Sequence, residues 1–371
     1  MKKDLTELRN QIDAIDSEMV SLFEKRMAVS EQVAQVKMQN NLAILDASRE
    51  EKVIARARER VSPKNEAEAA ALMNCVMALS KMRQKNQLIP AGEVFFPPSG
   101  TRKTENITVA FQGVDGAWGE QAAKTMFPQA THTNRDYFDD VFESVTNGTA
   151  DFGILPIENS QTGAIGEVYD LLRRHRCYIV GQVWVDIAHC LLALPGTEIT
   201  DIREVLSHPE GFSQCGRFIK GKNLDCSAST NTAVAAKTVA ERGEKRYAAI
   251  ASRHAADLFG LEVIAPDIMD NPNNRTRFIA ISSKPLYDES CNTVGITFST
   301  MHKSGALCAV LQSFMLAGIN LSRIESRPVS AEKYRFFADL QANILSPATK
   351  DAILQAATNC EYFEILGCYN V

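Results

Sequence analysis

Steps of three and four run along Leu5, Leu8, Ile12, Ile15, Met19, Leu22, Arg26, Val29, Val33 and Val36, all apolar but Arg26, the period of one helical face. Neither Pro nor Gly interrupts the run, which predicts one helix of roughly 50 Å at ~1.5 Å per residue. A helix of that length cannot bury its stripe against two shorter helices of its own chain, so the pattern predicts pairing with a second copy. Arg26 lies on the stripe, with Lys37 and Arg9 toward its two ends. Cations directed into a helical interior need an anion there, although the stripe alone leaves open an Arg26 that snorkels at its edge. Asp46 or Ser48 is placed to cap a second helix reaching about Val61, which Ser62-Pro63 ends. A third, from about Glu66 to Asn86, has Leu72, Cys75, Val76, Leu79 and Met82 as its stripe. Ser80 and Gln84 lie one turn apart beside it.

After a linker over 89–105, rich in Pro and Gly, the period changes. From Ile107 short β runs alternate with helical patterns, which predicts an α/β domain over 106–284. The first strand, Ile107 to Phe111, is followed by Gly113, Gly116 and Gly119, a spacing that is not the GxGxxG of a dinucleotide site. No nicotinamide cofactor is expected. Further on, strands run into loops bearing carboxylate, amide and hydroxyl groups. These are Glu158-Asn159-Ser160-Gln161-Thr162, Ser207-His208-Pro209-Glu210-Gly211-Phe212 and Ser227-Ala228-Ser229-Thr230-Asn231-Thr232. Thr162 is placed to cap a helix from about Ala164 to His175. Each loop taken singly is as readily an ordinary helix cap; together they predict a cleft for a small polyanion. Thr276 stands between Arg275 and Arg277 at the mouth of a buried strand. A neutral proton donor beside fixed positive charge suits a carboxylated substrate that must lose a hydroxyl. After a short linker, 292–371 reads βαββαβ.

Length and composition narrow the class. A chain of 371 residues has room for two or three domains. A net charge of −5 argues against a nucleic-acid surface. The nine cysteines include no CxxC pair, and an odd count predicts reduced thiols. The six histidines show no metal-ligand spacing. No signal-peptide core or membrane-length apolar run is visible, so a cytoplasmic protein is expected.

Three resemblances sharpen this reading. The first segment, over 1–88, resembles the all-helical chorismate mutase family, an intertwined dimer of three-helix chains. Arg9, Arg26, Lys37, Asp46, Arg49, Glu50, Ser80 and Gln84 fall at that family's site positions. The resemblance implies that Arg9 enters from the partner chain and that Arg9 and Arg26 clamp carboxylates. It further implies that Lys37 and Gln84 donate to the ether oxygen while Glu50 takes the substrate hydroxyl. A unimolecular Claisen rearrangement needs such positioning and charge stabilisation rather than a nucleophile.

The segments PIENS (156–160), SHPEGFSQC (207–215), STNTA (229–233) and NRTRF (274–278) resemble the prephenate dehydratase family, two α/β lobes with a cleft between them. By that resemblance Thr276 protonates the departing hydroxyl and Arg277 holds a carboxylate. Glu158, Asn159, Ser160, Ser207, Asn231 and Thr232 line the pocket. Where the family has an aromatic and then a hydroxyl residue after its early glycines, this chain has Trp118-Gly119, so no hydroxyl role is assigned there. Gly305-Ala306-Leu307 and Glu325-Ser326-Arg327-Pro328 resemble the phenylalanine-binding motifs of ACT regulatory domains, an α+β ferredoxin-like fold. The resemblances imply a multidomain homodimer or homotetramer without cofactor or metal. Its small-molecule partners would be chorismate, prephenate and L-phenylalanine. The competing expectation is a non-catalytic small-molecule sensor with a helical dimerisation arm.

Overall fold

A computed structural model describes residues 4–40, 47–86 (backbone only at 47 and 82–86), 96–101, 103–330 and 333–371. The chain forms two compact units. One comprises Met1–Phe96, Thr300–Gly318 and Lys350–Tyr362; the other comprises Pro97–Ser299, Ile319–Thr349 and Phe363–Val371.

The first unit opens with α1 (Leu5–Gln39), α2 (Ala47–Glu59) and α3 (Glu66–Asn86). Asp4 caps α1, its carboxylate accepting from the Thr6 amide at 3.2 Å. Ser48 lies in the first described turn of α2, and Asp46 lies outside the described residues. Helix α1 packs on α3 and buries only Met27, Ser30 and Ala34. The apolar stripe points elsewhere: Ile12, Ile15, Leu22, Val29 and Val36 are all more than half exposed.

In the second unit β1 (Thr108–Gln112), α4 (Trp118–Met126), β2 (Thr131–Arg135), α5 (Phe138–Thr146), β3 (Phe152–Asn159), β4 (Gly163–Ala164), α6 (Gly166–His175) and β5 (Tyr178–Asp186) form a first lobe. A second lobe follows, with β6 (His189–Ala193), β7 (Glu204–Ser207), α7 (Pro209–Gln214), α8 (Gly216–Lys222), β8 (Asp225–Ala228), α9 (Thr232–Arg242), β9 (Tyr247–Ser252), α10 (Arg253–Phe259) and β10 (Glu262–Ala265). Its sheet runs β10-β6-β9-β7-β8. The chain then returns through β11 (Arg275–Ser282), antiparallel between β3 and β5. Each lobe has its own apolar core. The chain crosses between lobes twice, before β6 and before β11, and those crossings border the cleft.

Thr162 does not cap α6. Ile165 occupies that position without a side-chain bond, and the Thr162 amide donates to Asn159 Oδ1 at 3.2 Å.

The last elements are β12 (Thr293–Ser299), α11 (Ala306–Leu316), β13 (Leu321–Ser330), β14 (Lys333–Leu340), α12 (Pro347–Ala357) and β15 (Tyr362–Tyr369), a βαββαβ succession. Their strands lie in the order β13-β14-β12-β15 and extend the first lobe's sheet at β5. The junction is a single pairing of Gly367 with Ile179. Gly367 is required there, because a Cβ would strike the Ile179 carbonyl.

Candidate active site

The helical unit holds a cavity of about 270 Å³ lined by Arg26, Lys37, Arg49, Glu50 and Ser80, with Val29, Ser30, Val33, Val53, Met77 and Lys81. Five of the eight residues expected in a chorismate site therefore meet in one place. The guanidinium of Arg26 donates to Ser80 Oγ and, at 3.2 Å, to the Val76 carbonyl, which aims it at α3. Burial pulls its pKa below the ordinary arginine value. Lys81, which the sequence reading did not single out, pairs with Glu50 at 3.0 Å. Its sequence signal was only its place beside Ser80. Arg9 is exposed and does not line this cavity. It lies seventeen residues from Arg26 on a continuous helix, roughly 26 Å at ~1.5 Å per residue. Asp46 and the Gln84 side chain lie outside the described residues.

Between the lobes of the second unit is a cavity of about 370 Å³, within the range of small-molecule sites. The first lobe contributes Gln112, Trp118, Phe138, Asn159, Thr276 and Phe278; the second contributes His189, His208, Glu210, Gln214, Asn231 and Thr232. Thr276 sits opposite Asn159 in the β11–β3 pairing, and the Asn159 amide donates to its Oγ1 at 2.9 Å. That bond occupies a lone pair of the hydroxyl and leaves its proton free to be donated. It also supports negative charge that develops on Oγ1. Asn159 is itself fixed: its Nδ2 donates to Asn274 Oδ1 at 2.9 Å, and its Oδ1 accepts from the Gln161 amide at 2.9 Å. Asn231 caps α9, accepting from the Ala233 amide at 2.7 Å.

Other expected residues lie elsewhere. Successive strand residues face opposite sides, so Thr276 and Phe278 line the cleft while Arg277 turns to the other face. There Arg277 Nη1 donates to Asp339 Oδ2 at 2.8 Å and to Gln182 Oε1 at 3.0 Å. Glu158 is on that face too, 3.3 Å from Arg277 and 2.9 Å from Arg323. Burial alone would pull the Arg277 pKa down; Asp339 more than reverses this, and the group sits above the ordinary arginine value. Tyr369 donates to Asp339 Oδ1 at 3.1 Å, and burial lifts its pKa well above the usual phenol value. Ser207 is buried, donating to the Ile250 carbonyl at 2.8 Å. Its Oγ lies 2.5 Å from where a Cβ on Gly211 would stand, which explains the glycine in that loop. Ser160 accepts from the Arg275 amide at 2.9 Å and ties the two loops at the cleft's edge. Neither serine, nor Arg277, nor Glu158, lines the cavity.

Comparison with known proteins bears on this arrangement. Residues 109–286 match the family model for prephenate dehydratase, and residues 8–85 that for type II chorismate mutase. The arogenate dehydratase/prephenate dehydratase 2 of Arabidopsis thaliana is 35% identical over 314 residues, 80% of this chain and 81% of that protein. The chain belongs to the prephenate dehydratase family. The bifunctional chorismate mutase/prephenate dehydratase of Buchnera aphidicola subsp. Schizaphis graminum is 29% identical over 99% of this chain and 97% of its own. This family member is likewise bifunctional, an enzyme of phenylalanine biosynthesis with a chorismate mutase domain ahead of its dehydratase domain.

Among solved structures, a prephenate dehydratase from Arthrobacter aurescens in complex with L-Phe superposes with a TM-score of 0.65 at 29% identity. It covers 71% of this chain and 90% of that one. A protein described as GqqA, a quorum-quenching acylase, has the same TM-score at 31% identity, over 71% of this chain and 98% of that one. Both likenesses take in more of the chain than residues 109–286 alone. Among the described residues no helix is long and apolar enough to cross a membrane, and none of the nine cysteines is in a disulfide.

Proposed function

We propose that the two cavities are the two active sites, with chorismate rearranged in the helical one and prephenate dehydrated in the interlobe cleft. The observation that carries the second assignment is Thr276: a hydroxyl in the cleft, accepting from a fixed amide, with its own proton available. In the reaction the Thr276 proton passes to the substrate hydroxyl and the carbon–oxygen bond breaks, releasing water. The bond to the ring carboxylate gives its electron pair to the ring as CO2 leaves, and solvent returns the proton to Thr276. Aromatisation supplies the driving force, so positioning lets a weak acid suffice. The lining residues named for this cleft include no Arg or Lys. The substrate carboxylates are therefore assigned to the backbone amides opening α4 and α9 rather than to Arg277.

In the helical cavity Arg26, Lys37 and Arg49 supply the positive charge that a dianionic substrate needs. The exposed stripe of α1 is covered by a second copy, whose Arg9 completes the site. A dimer through the helices, joined by further pairing through the C-terminal strands, makes a tetramer the natural assembly. The βαββαβ segment is assigned as an ACT regulatory domain that binds L-phenylalanine, with Ala306, Leu307, Glu325, Ser326, Arg327 and Pro328 as its contacts. Gly305 precedes α11 at φ 77°, a conformation suited to glycine. No side chain caps the helix; the Ala306 amide donates to the Lys303 carbonyl at 3.2 Å, and the amides of Leu307 and Cys308 are those assigned to a carboxylate. The expected location is the cytoplasm.

The test is turnover of chorismate and, separately, of prephenate by the purified chain, each with and without L-phenylalanine. Phenylpyruvate from both, suppressed by phenylalanine, is expected. Product from prephenate alone would reduce the helices to a scaffold, and none from either would leave a sensor as the better reading.

A further inference from the structure

His189 opens β6 at the floor of the interlobe cleft and is 3% exposed. Its backbone is held on both sides: the carbonyl accepts from the Ile268 amide at 3.0 Å, and the residue pairs with Ser252 of β9. The ring meets Trp118 of the opposite lobe edge-on, centroids 6.0 Å apart. Nε2 donates to Gln214 Oε1 at 2.9 Å. The ring's other polar atom, Nδ1, is buried and meets no partner from the protein. A buried polar atom without a partner is costly, and His189 is a lining residue of the cleft, where a ligand can supply that partner.

We propose that His189 is a further catalytic residue of the dehydratase cleft, its Nδ1 accepting a hydrogen bond from the hydroxyl that the substrate loses. The proposal rests on the dehydratase reading of the cleft. With Nε2–H committed to Gln214, Nδ1 carries a lone pair. Burial holds the His189 pKa below the usual imidazole value, with the Gln214 bond only partly opposing it, so the ring is neutral near pH 7. Thr276 then donates its proton to the leaving oxygen while that oxygen's own hydrogen points to Nδ1. As the carbon–oxygen bond breaks, the departing water becomes a stronger donor. The bond to His189 tightens in the transition state, which is the condition for it to speed the reaction. No proton is retained by the imidazole; water leaves with both hydrogens.

The experiment compares full-length His189→Asn and His189→Gln on prephenate, with turnover of chorismate as the control for an intact chain. An Asn side chain places its amide oxygen near the Nδ1 position; a Gln reaches Gln214 as Nε2 does. If the Nδ1 contact is catalytic, the Gln variant loses roughly 10²-fold in kcat with KM little changed, and the Asn variant stays within about tenfold of the parent. The reverse order, a retained Gln variant and a failed Asn variant, assigns His189 a purely structural role through Gln214 and overturns the proposal. So do equal losses in both, or no loss in either. Failure of the unsubstituted chain to turn over prephenate would instead refute the dehydratase reading itself.

Discussion

Asp339→Asn tests whether Arg277 is a structural anchor. The substitution keeps the shape of the side chain and removes its charge. Arg277 and Asp339 have side-chain exposures of only 6% and 9%, so the remaining guanidinium has little water to turn to. Breaking such a buried pair costs about 3–5 kcal/mol. Glu158 stays 3.3 Å away, but it is also 2.9 Å from Arg323, so its help is divided and the loss is expected near the lower end, about 3 kcal/mol. Adding Arg277→Met to Asp339→Asn removes the uncompensated charge while the Asn carbonyl still accepts from Tyr369, and should recover most of that loss. The chain's two tryptophans, Trp118 and Trp184, both report on the dehydratase, and Trp184 is the cross-strand neighbour of Arg277. Urea unfolding followed by tryptophan fluorescence is therefore the assay. A loss below about 1 kcal/mol in the single variant, or a double variant no more stable than the single, refutes the argument. The double variant should also keep its KM for prephenate within a few-fold. A tenfold rise would return Arg277 to substrate binding.

Four further outcomes are expected. Thr276→Ala should lower dehydratase turnover about 10²–10⁴-fold and leave the mutase intact, with Thr276→Ser recovering part of the loss. Lys37→Ala should abolish mutase turnover and spare the dehydratase; parallel loss of both would undo the assignment of separate sites. Equal mixing of Arg9→Ala and Lys37→Ala chains, each inactive as a mutase, should restore about a quarter of parental activity, because half the dimers then contain one complete site. No recovery after subunit exchange would place Arg9 on its own chain's site. Gly305→Val, which forces a β-branched residue into a left-handed backbone, should blunt inhibition by L-phenylalanine in a dose–response assay without altering turnover in its absence.

The helical segment was legible because its period is long and unbroken. The third helix spans Glu66–Asn86 as the stripe and the flanking Pro63 predicted. Five of the expected residues, from all three helices, meet in one cavity: helical spacing shows which side chains share a face of one helix, and the packing of the helices brings those faces together. The cleft was harder. A strand motif such as Thr276-Arg277-Phe278 travels together in sequence yet divides between two faces, and the motif does not say which face is the cleft. Glu158 and Asn159 divide in the same way. Ser207 sits in a loop rich in polar groups, but its hydroxyl is taken by the Ile250 carbonyl, a partner 43 residues away that no local pattern announces. His189 was missed for the opposite reason. It begins an apolar run, His189-Cys190-Leu191-Leu192-Ala193, where a lone histidine reads as core, and its meaning comes from Trp118 and Gln214 brought to it by the fold.

The pairing of Arg277 with Asp339 also orders events during synthesis. The two residues are 62 positions apart, so at ~5–20 residues per second the ribosome delivers Asp339 roughly 3–12 s after Arg277. During that interval the dehydratase segment has emerged with a cation on a central strand and only Glu158 to meet it. The strand that carries Thr276 can pair with β3 and β5 at once, but it gains the Asp339 counter-charge only when the C-terminal strands arrive. A nascent chain released early would hold every residue of the cleft and still lack the counter-charge that seats its central strand.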